Sequence, residues 1–215
     1  MRFNTVASEL AGIPFTGPQK GRKLYNHVLA TQPRRILELG CAHGVTACYM
    51  AAALDEIGSG TIVTMDLHTA LDRDPNIDTL AERLGLREYI EPMFAASSFT
   101  WELRRLLDAD PNPQFDFAFQ DGGHTWDVAG FSFFLIDRLL NPGGWILFDD
   151  LNWTLEGSPS QRHRPKVRAL SEEERTIPQV GEVFRLLVVQ HPGYTDHRLD
   201  DDGNWGWARK RSTPG

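Results

Sequence analysis

Cysteine is scarce in this chain. Cys41 and Cys48 are the two present in 215 residues, seven apart and with no ligand spacing around them. That excludes a disulfide-stapled scaffold and suits a reducing compartment. No apolar run approaches the ~20 residues needed to span a bilayer. The N-terminal stretch MRFNTVASELAGIPF lacks the basic start and long apolar core of a signal peptide. Cationic charge is in deficit, with 22 Lys and Arg against 29 Asp and Glu and a net charge of −7. A nucleic acid or an anionic membrane is therefore not expected as the main partner. Internal repeats and low-complexity tracts are missing as well. The expectation left is one soluble, cytoplasmic domain over 1–215, long enough to bury a core without staples.

What is present is an alternation. RRILELG (34–40), TIVTMDL (61–67), YIEPMF (89–94), FDFAFQD (115–121) and GGWILFDD (143–150) read as strands. Between them VTACYMAAALDEIG (45–58), IDTLAERLGL (77–86), WELRRLLDA (101–109) and DVAGFSFFLIDRLL (127–140) read as helices. Such alternation implies βαβ units and a parallel sheet covered on both faces. The end of the chain departs from it: a helix over 178–190 precedes two strands, 193–199 and 205–211, joined by DDDGN with its Asp-Gly hairpin signal. The fold class expected is α/β and Rossmann-like, with a mostly parallel seven-stranded sheet and a C-terminal antiparallel hairpin. Residues 1–33 form an N-terminal helical segment, and the polar stretch 152–170 is long enough to read as a lid loop.

Open α/β sheets bind ligands outside the carboxyl ends of their strands. Here those ends carry Glu38, Gly40 and Gly44; Asp66; Ser97 and Ser98; Asp121 and His124; Asp149 and Asp150. Four acidic tips on one edge are hard to treat as chance. The glycines of the first loop let backbone approach a ligand closely. The nicotinamide fingerprint GxGxxG does not fit, since the row from Gly40 reads Gly-Cys-Ala-His-Gly-Val. Asp66, 22 residues after Gly44, stands where an acid would hold a ribose diol.

RILELGCAHGVTACYMA, Asp66 in IVTMDL, FDFAFQDGGHTWD and LNPGGWILFDD together resemble the class I S-adenosylmethionine-dependent methyltransferases. Within that class, DGGH before a helix and PGGWILFDD look like the metal-dependent O-methyltransferases. The macrocin and mycinamicin sugar enzymes are the nearest in pattern, and the catechol-type enzymes are more distant. The resemblance implies that Gly40 and Gly44 line the methionine moiety with Glu38 near its ammonium, and that Asp66 accepts from the ribose hydroxyls. Ser97 and Gln120 would flank the adenine, with Asp121 bordering the cofactor as well. Asp121, Asp149 and Asp150 would match the family's ligands for Mg²⁺ or another divalent cation, and His124 its general base. Some macrolide sugar enzymes carry a large extra N-terminal domain, whereas about 33 residues precede the first strand here.

The chemistry asks for such a set. A sulfonium methyl donor is already activated, so the protein must align a hydroxyl and remove its proton. Mg²⁺ takes oxygen ligands and eases deprotonation of an oxygen it holds, and a positioned imidazole can accept the proton. The expected acceptor is a small-molecule hydroxyl, a sugar or vicinal diol of secondary metabolism. A metal-independent enzyme using His124 alone, or a cofactor-binding subunit without transfer activity, stay open, and a homo-oligomer is allowed. Trp126 and Trp153 either flank the substrate or simply pack, and Asn152 is a spare metal ligand. The run RHRPKVR (162–168) either recruits an anionic substrate, closes over the cofactor or is a solvated loop.

Overall fold

The computed structural model describes residues 2–212; residues 1 and 213–215 of the expected domain lie outside them. Two helices come first, α1 (Arg2–Glu9) and α2 (Pro18–Thr31). The alternating part then runs β1 (Arg35–Leu39), α3 (Val45–Ile57), β2 (Thr61–Leu67), α4 (Ile77–Arg83), β3 (Ile90–Ala95), α5 (Phe99–Asp108), β4 (Phe115–Gln120), α6 (Trp126–Leu139) and β5 (Leu140–Phe148). Three short helices, α7 (Pro165–Arg168), α8 (Glu172–Thr176) and α9 (Gln179–Val183), precede the hairpin β6 (Tyr194–Leu199) and β7 (Gly206–Lys210). The seven strands form one sheet in the order β3-β2-β1-β4-β5-β7-β6. β1 to β5 pair in parallel, and β7 lies antiparallel to both β5 and β6. The Rossmann-like, mostly parallel sheet with its terminal hairpin is thus as expected.

The central strands are apolar on both sides because helices cover both faces. Ile36 of β1 and Phe117 and Phe119 of β4 join one core with α1 to α4. Leu37 and Leu39 of β1 and Ala118 of β4 join the other with α5, α6 and α9. Every residue of α3 from Val45 to Leu54 is buried. Its alanines keep the helix thin, so that α2 can pack on its far side. Gly21 of α2 lies against Tyr49 of α3, and a Cβ there would fall 2.4 Å from the ring.

Three segments differ from the sequence reading. β5 starts at Leu140, directly after α6, and ends at Phe148, so Asp149 and Asp150 stand beyond the strand. The helix expected over 178–190 is one α turn followed by a π-helical turn, Phe184–Val188. A π turn rotates the residues after it relative to a regular helix, and here it leaves Phe184 and Val188 buried together. The stretch 152–170 is a chain of turns ending in α7, with Leu155 and Val167 buried as anchors.

Candidate active site

The order of the strands reverses between β1 and β4, and ligands of open α/β sheets sit at that crevice. The tips of β1 and β4 touch: a Cβ on Gly40 would fall 2.4 Å from the carbonyl oxygen of Asp121, and Gly40 has φ +95°. β4 ends at Gln120, and the chain turns through Asp121, Gly122 and Gly123. Gln120 Nε2 donates to the Gly122 carbonyl (2.6 Å). Gly123 has φ +72°, and a Cβ there would meet Val128 Cγ1 at 2.3 Å, so glycine alone fits. The turn brings His124 to face the tip of β5. Asp150 there adopts φ +63°, a strained conformation for a residue with a side chain.

From that conformation Asp150 Oδ2 lies 2.9 Å from His124 Nε2, and Asp121 Oδ1 lies 4.0 Å from the same nitrogen. One ligand atom from each of Asp121, His124 and Asp150 falls within 4.8 Å of the others. The imidazole N–H is not aligned on the Asp150 oxygen, and Nε2 is enclosed without a hydrogen bond of good geometry. The Trp153 ring covers His124 at 4.9 Å between centroids.

The three acids are not equivalent. The Asp149 carboxylate, expected beside Asp121 and Asp150 on a metal, is turned to Lys20 of α2, whose Nζ donates to both its oxygens at 2.8 and 3.1 Å. Asn204, in the β6–β7 turn, adds a donor to Asp149 Oδ1 at 3.1 Å. The Asp121 side chain keeps 21% of its surface and accepts no hydrogen bond from a described residue. Burial in the crevice, then the charges of Asp149, Asp150 and Glu38, push the Asp121 carboxyl well above the usual range. Burial also raises Asp149, against the pull of Lys20. Burial acts on Asp150 too, but the His124 imidazole and the Asn204 amide outweigh it and hold that carboxyl low.

On the β1 side, Glu38 is fully buried. Its Oε2 accepts from Thr64 Oγ1, while Oε1 has no partner. Burial pushes Glu38 up to about 7, and the Thr46 and Thr64 hydroxyls only partly offset this. Gly44 caps α3 at φ +91°, and a Cβ there would meet the Ile77 side chain at 2.1 Å. Asp66 Oδ2 accepts from the Ala42 N–H and Oδ1 from the Leu67 N–H, both at 2.7 Å, which fixes its carboxylate beside the first loop. Ser97 is exposed at the end of β3, and Ser98 caps α5. The Asn152 amide points to the β6–β7 turn rather than to the acids.

Lys20 and Asn204 carried no signal in the sequence. Lys20 sits in an N-terminal helix 129 residues from Asp149, and Asn204 reads as an ordinary turn residue.

The sheet order, the glycine-built crevice at its switch point and the acids around it define the class I methyltransferase fold. The chain belongs to the methyltransferase-domain family, whose profile matches residues 37–151. Solved structures with this fold include an O-methyltransferase from Bacillus cereus in complex with SAH, at 19% identity and TM-score 0.66, covering 98% of this chain and 89% of that one. The O-methyltransferase TomG from Streptomyces achromogenes, involved in tomaymycin synthesis and in complex with SAM, is similar at 19% identity and TM-score 0.65, with coverage of 98% and 90%. The SAH-bound methyltransferase PaMTH1 of Podospora anserina matches at 17% identity and TM-score 0.67, with coverage of 99% and 88%. No curated protein sequence matches this chain. Among the described residues no helix is long and apolar enough to cross a membrane.

Proposed function

We propose that this chain is an S-adenosylmethionine-dependent O-methyltransferase that uses Mg²⁺ and acts on a small-molecule hydroxyl, a sugar or vicinal diol of secondary metabolism. The observation that carries the proposal is the open carboxylate of Asp121, set between a glycine-built crevice on one side and His124 and Asp150 on the other. The free, buried cysteines suit a cytoplasmic setting.

The residues fit both groups. Gly40 and Gly44 let the first loop lie tight against Asp121 and Ile77, where a Cβ would clash, which holds its backbone at the switch point, and the orphan Oε1 of Glu38 is a buried acceptor suited to an ammonium. Asp66 keeps lone pairs for two ribose hydroxyls, and Gln120 and Ser97 border the adenine side. Asp121 and Asp150 would hold the divalent cation, because the strain of crowded like charges is relieved by a positive ion. Asp149 would join them by releasing Lys20. When bound, the cation would orient the acceptor oxygen and ease loss of its proton. S-adenosylmethionine, when bound, would supply a sulfonium methyl group whose carbon bonds to the acceptor oxygen as its bond to sulfur breaks, with S-adenosylhomocysteine as the leaving group. His124 would take the hydroxyl proton, and the Asp150 and Asp121 carboxylates beside Nε2 would stabilise the resulting imidazolium.

A specific observation favours a second reading. Lys20 already supplies a tethered cation to Asp149, so the site would work on His124 alone, without a metal. Calorimetric titration of metal-stripped protein with S-adenosylmethionine, then with Mg²⁺, separates the two. We expect micromolar cofactor binding and a separate Mg²⁺ signal that Asp150→Asn abolishes. Methyl transfer that persists in chelator would favour the metal-free reading, and absent cofactor binding would overturn both.

A further inference from the structure

The segment 152–170 is a wall of the site. Together with His124 and Thr125, its residues Trp153, Leu155, Gln161, Lys166, Val167 and Leu170 line a cavity of about 320 Å³. Val167 is 2% exposed and pins α7, so the base of the Lys166 side chain is fixed at the cavity rim. Residues 157–171 contain four cations, Arg162, Arg164, Lys166 and Arg168, and no acid, in a chain whose net charge is −7. None of the four forms an ion pair with a carboxylate among the described residues. Arg162 donates instead to the neighbouring His163 imidazole at 3.0 Å.

The charge is sorted across one partition. A second cavity of about 590 Å³ lies beyond Thr125 and Leu170 and is lined by Glu173, Glu174 and Glu182. His124 lines the first cavity and not the second. A ligand that reaches His124, Asp121 and Asp150 through this cavity therefore passes an indole wall, apolar Leu155 and Val167, and an uncompensated ammonium, with no carboxylate in the cavity lining itself. The volume is at the small end for ligand sites.

We infer that the acceptor is a single-ring hydroxyl compound bearing an anionic group, a carboxylate or a phosphate, which Lys166 holds while Trp153 covers the ring and the hydroxyl faces His124. This rests on the O-methyltransferase reading above and adds the charge and size of the substrate to it.

Matched pairs test it: 3,4-dihydroxybenzoate against its methyl ester, and glucose 6-phosphate against glucose. Each is titrated calorimetrically into protein saturated with S-adenosylhomocysteine, and each is assayed for methyl transfer. At least one anionic member should bind on the order of tenfold more tightly than its neutral partner. Lys166→Glu should cancel that preference, and Lys166→Arg should keep it. The arm that responds distinguishes carboxylate from phosphate. Equal binding within both pairs, or a preference that survives Lys166→Glu, overturns the inference. A Lys166-dependent preference without transfer to any probe would leave the anion site standing and count against the O-methyltransferase reading instead.

Discussion

One aspartate directly follows strand β4 and another is its second residue, and the two have opposite surroundings. Asp116, at the amino end, is closed: Oδ2 accepts from the backbone N–H groups of Arg34 (2.8 Å) and Arg35 (3.2 Å), and Oδ1 from Asn141 Nδ2 (2.8 Å). The carboxylate of Asp121, at the carboxyl end, accepts no hydrogen bond from a described residue and is set among three other acids. Yet the larger cavity, about 810 Å³, lies at the Asp116 end, among Arg34, Arg35, Trp145 and Arg209. Volume alone therefore misleads. An unsatisfied carboxylate costs stability, and a fold keeps one where a ligand completes it.

The sharpest way to break this contrast is to make the same substitution at both ends. Asp121→Asn should reduce methyl transfer by roughly 10²-fold or more if Asp121 holds the cation as proposed above, and should leave the melting temperature unchanged or raised. Asp116→Asn should do the reverse, costing about 1–2 kcal/mol of stability through weakened bonds to two backbone N–H groups while transfer persists. Equal kinetic losses in both variants would dissolve the distinction.

A smaller effect is expected at Glu38, on the open end of β1. With its carboxyl pushed up to about 7 by burial, the folded chain holds a proton between about pH 4.5 and 7 that the unfolded chain has released. Stability must fall as pH rises through that window. Glu38→Gln should therefore raise stability by roughly 1–3 kcal/mol at pH 8 and by little at pH 4, while weakening S-adenosylmethionine binding. Denaturant melts at the two pH values check the first part and calorimetry the second. A variant that binds the cofactor as tightly as the parent would remove Glu38 from the site.

The effect expected at the closed end is confined to acid pH and is the smallest at pH 7. His27 packs between Phe117, Trp145 and Trp207, and burial, with the charge of Arg198, pushes it down to about 4. Below about pH 6.5 the unfolded chain gains a proton that the folded one refuses until about pH 4, so stability falls with pH by up to ~1.4 kcal/mol per unit. His27→Phe should flatten that limb and change little at pH 7. An unchanged acid limb would mean that other groups set it.

Much of this contrast was legible in the sequence. The apolar runs of β1, β4 and β5 and the glycines behind Asp121 announce buried parallel strands ending in tight turns, because alternation and φ > 0 both leave marks on residue type. Asp121, His124 and Asp150 could be gathered from strand tips alone. The partner of Asp149 could not, because an ion pair across 129 residues leaves no local pattern. The π turn at Phe184–Val188 escaped for another reason: its apolar spacing passes for an ordinary helix. The charge of 162–168 was plain, but which cavity it faces depends on where Val167 and Leu155 anchor the loop.

The pairing of Lys20 and Asn204 with Asp149 bears on how much of the chain makes up a working unit. The segment that defines the family, 37–151, contains all the strand-tip acids but neither Lys20, whose ammonium balances Asp149, nor Asn204, whose amide donates to it. Transplanted into another scaffold, that segment would bring its negative charges without their counterweights. During synthesis, too, Asp149 gains the Asn204 donor only after the β6–β7 turn has folded back onto it.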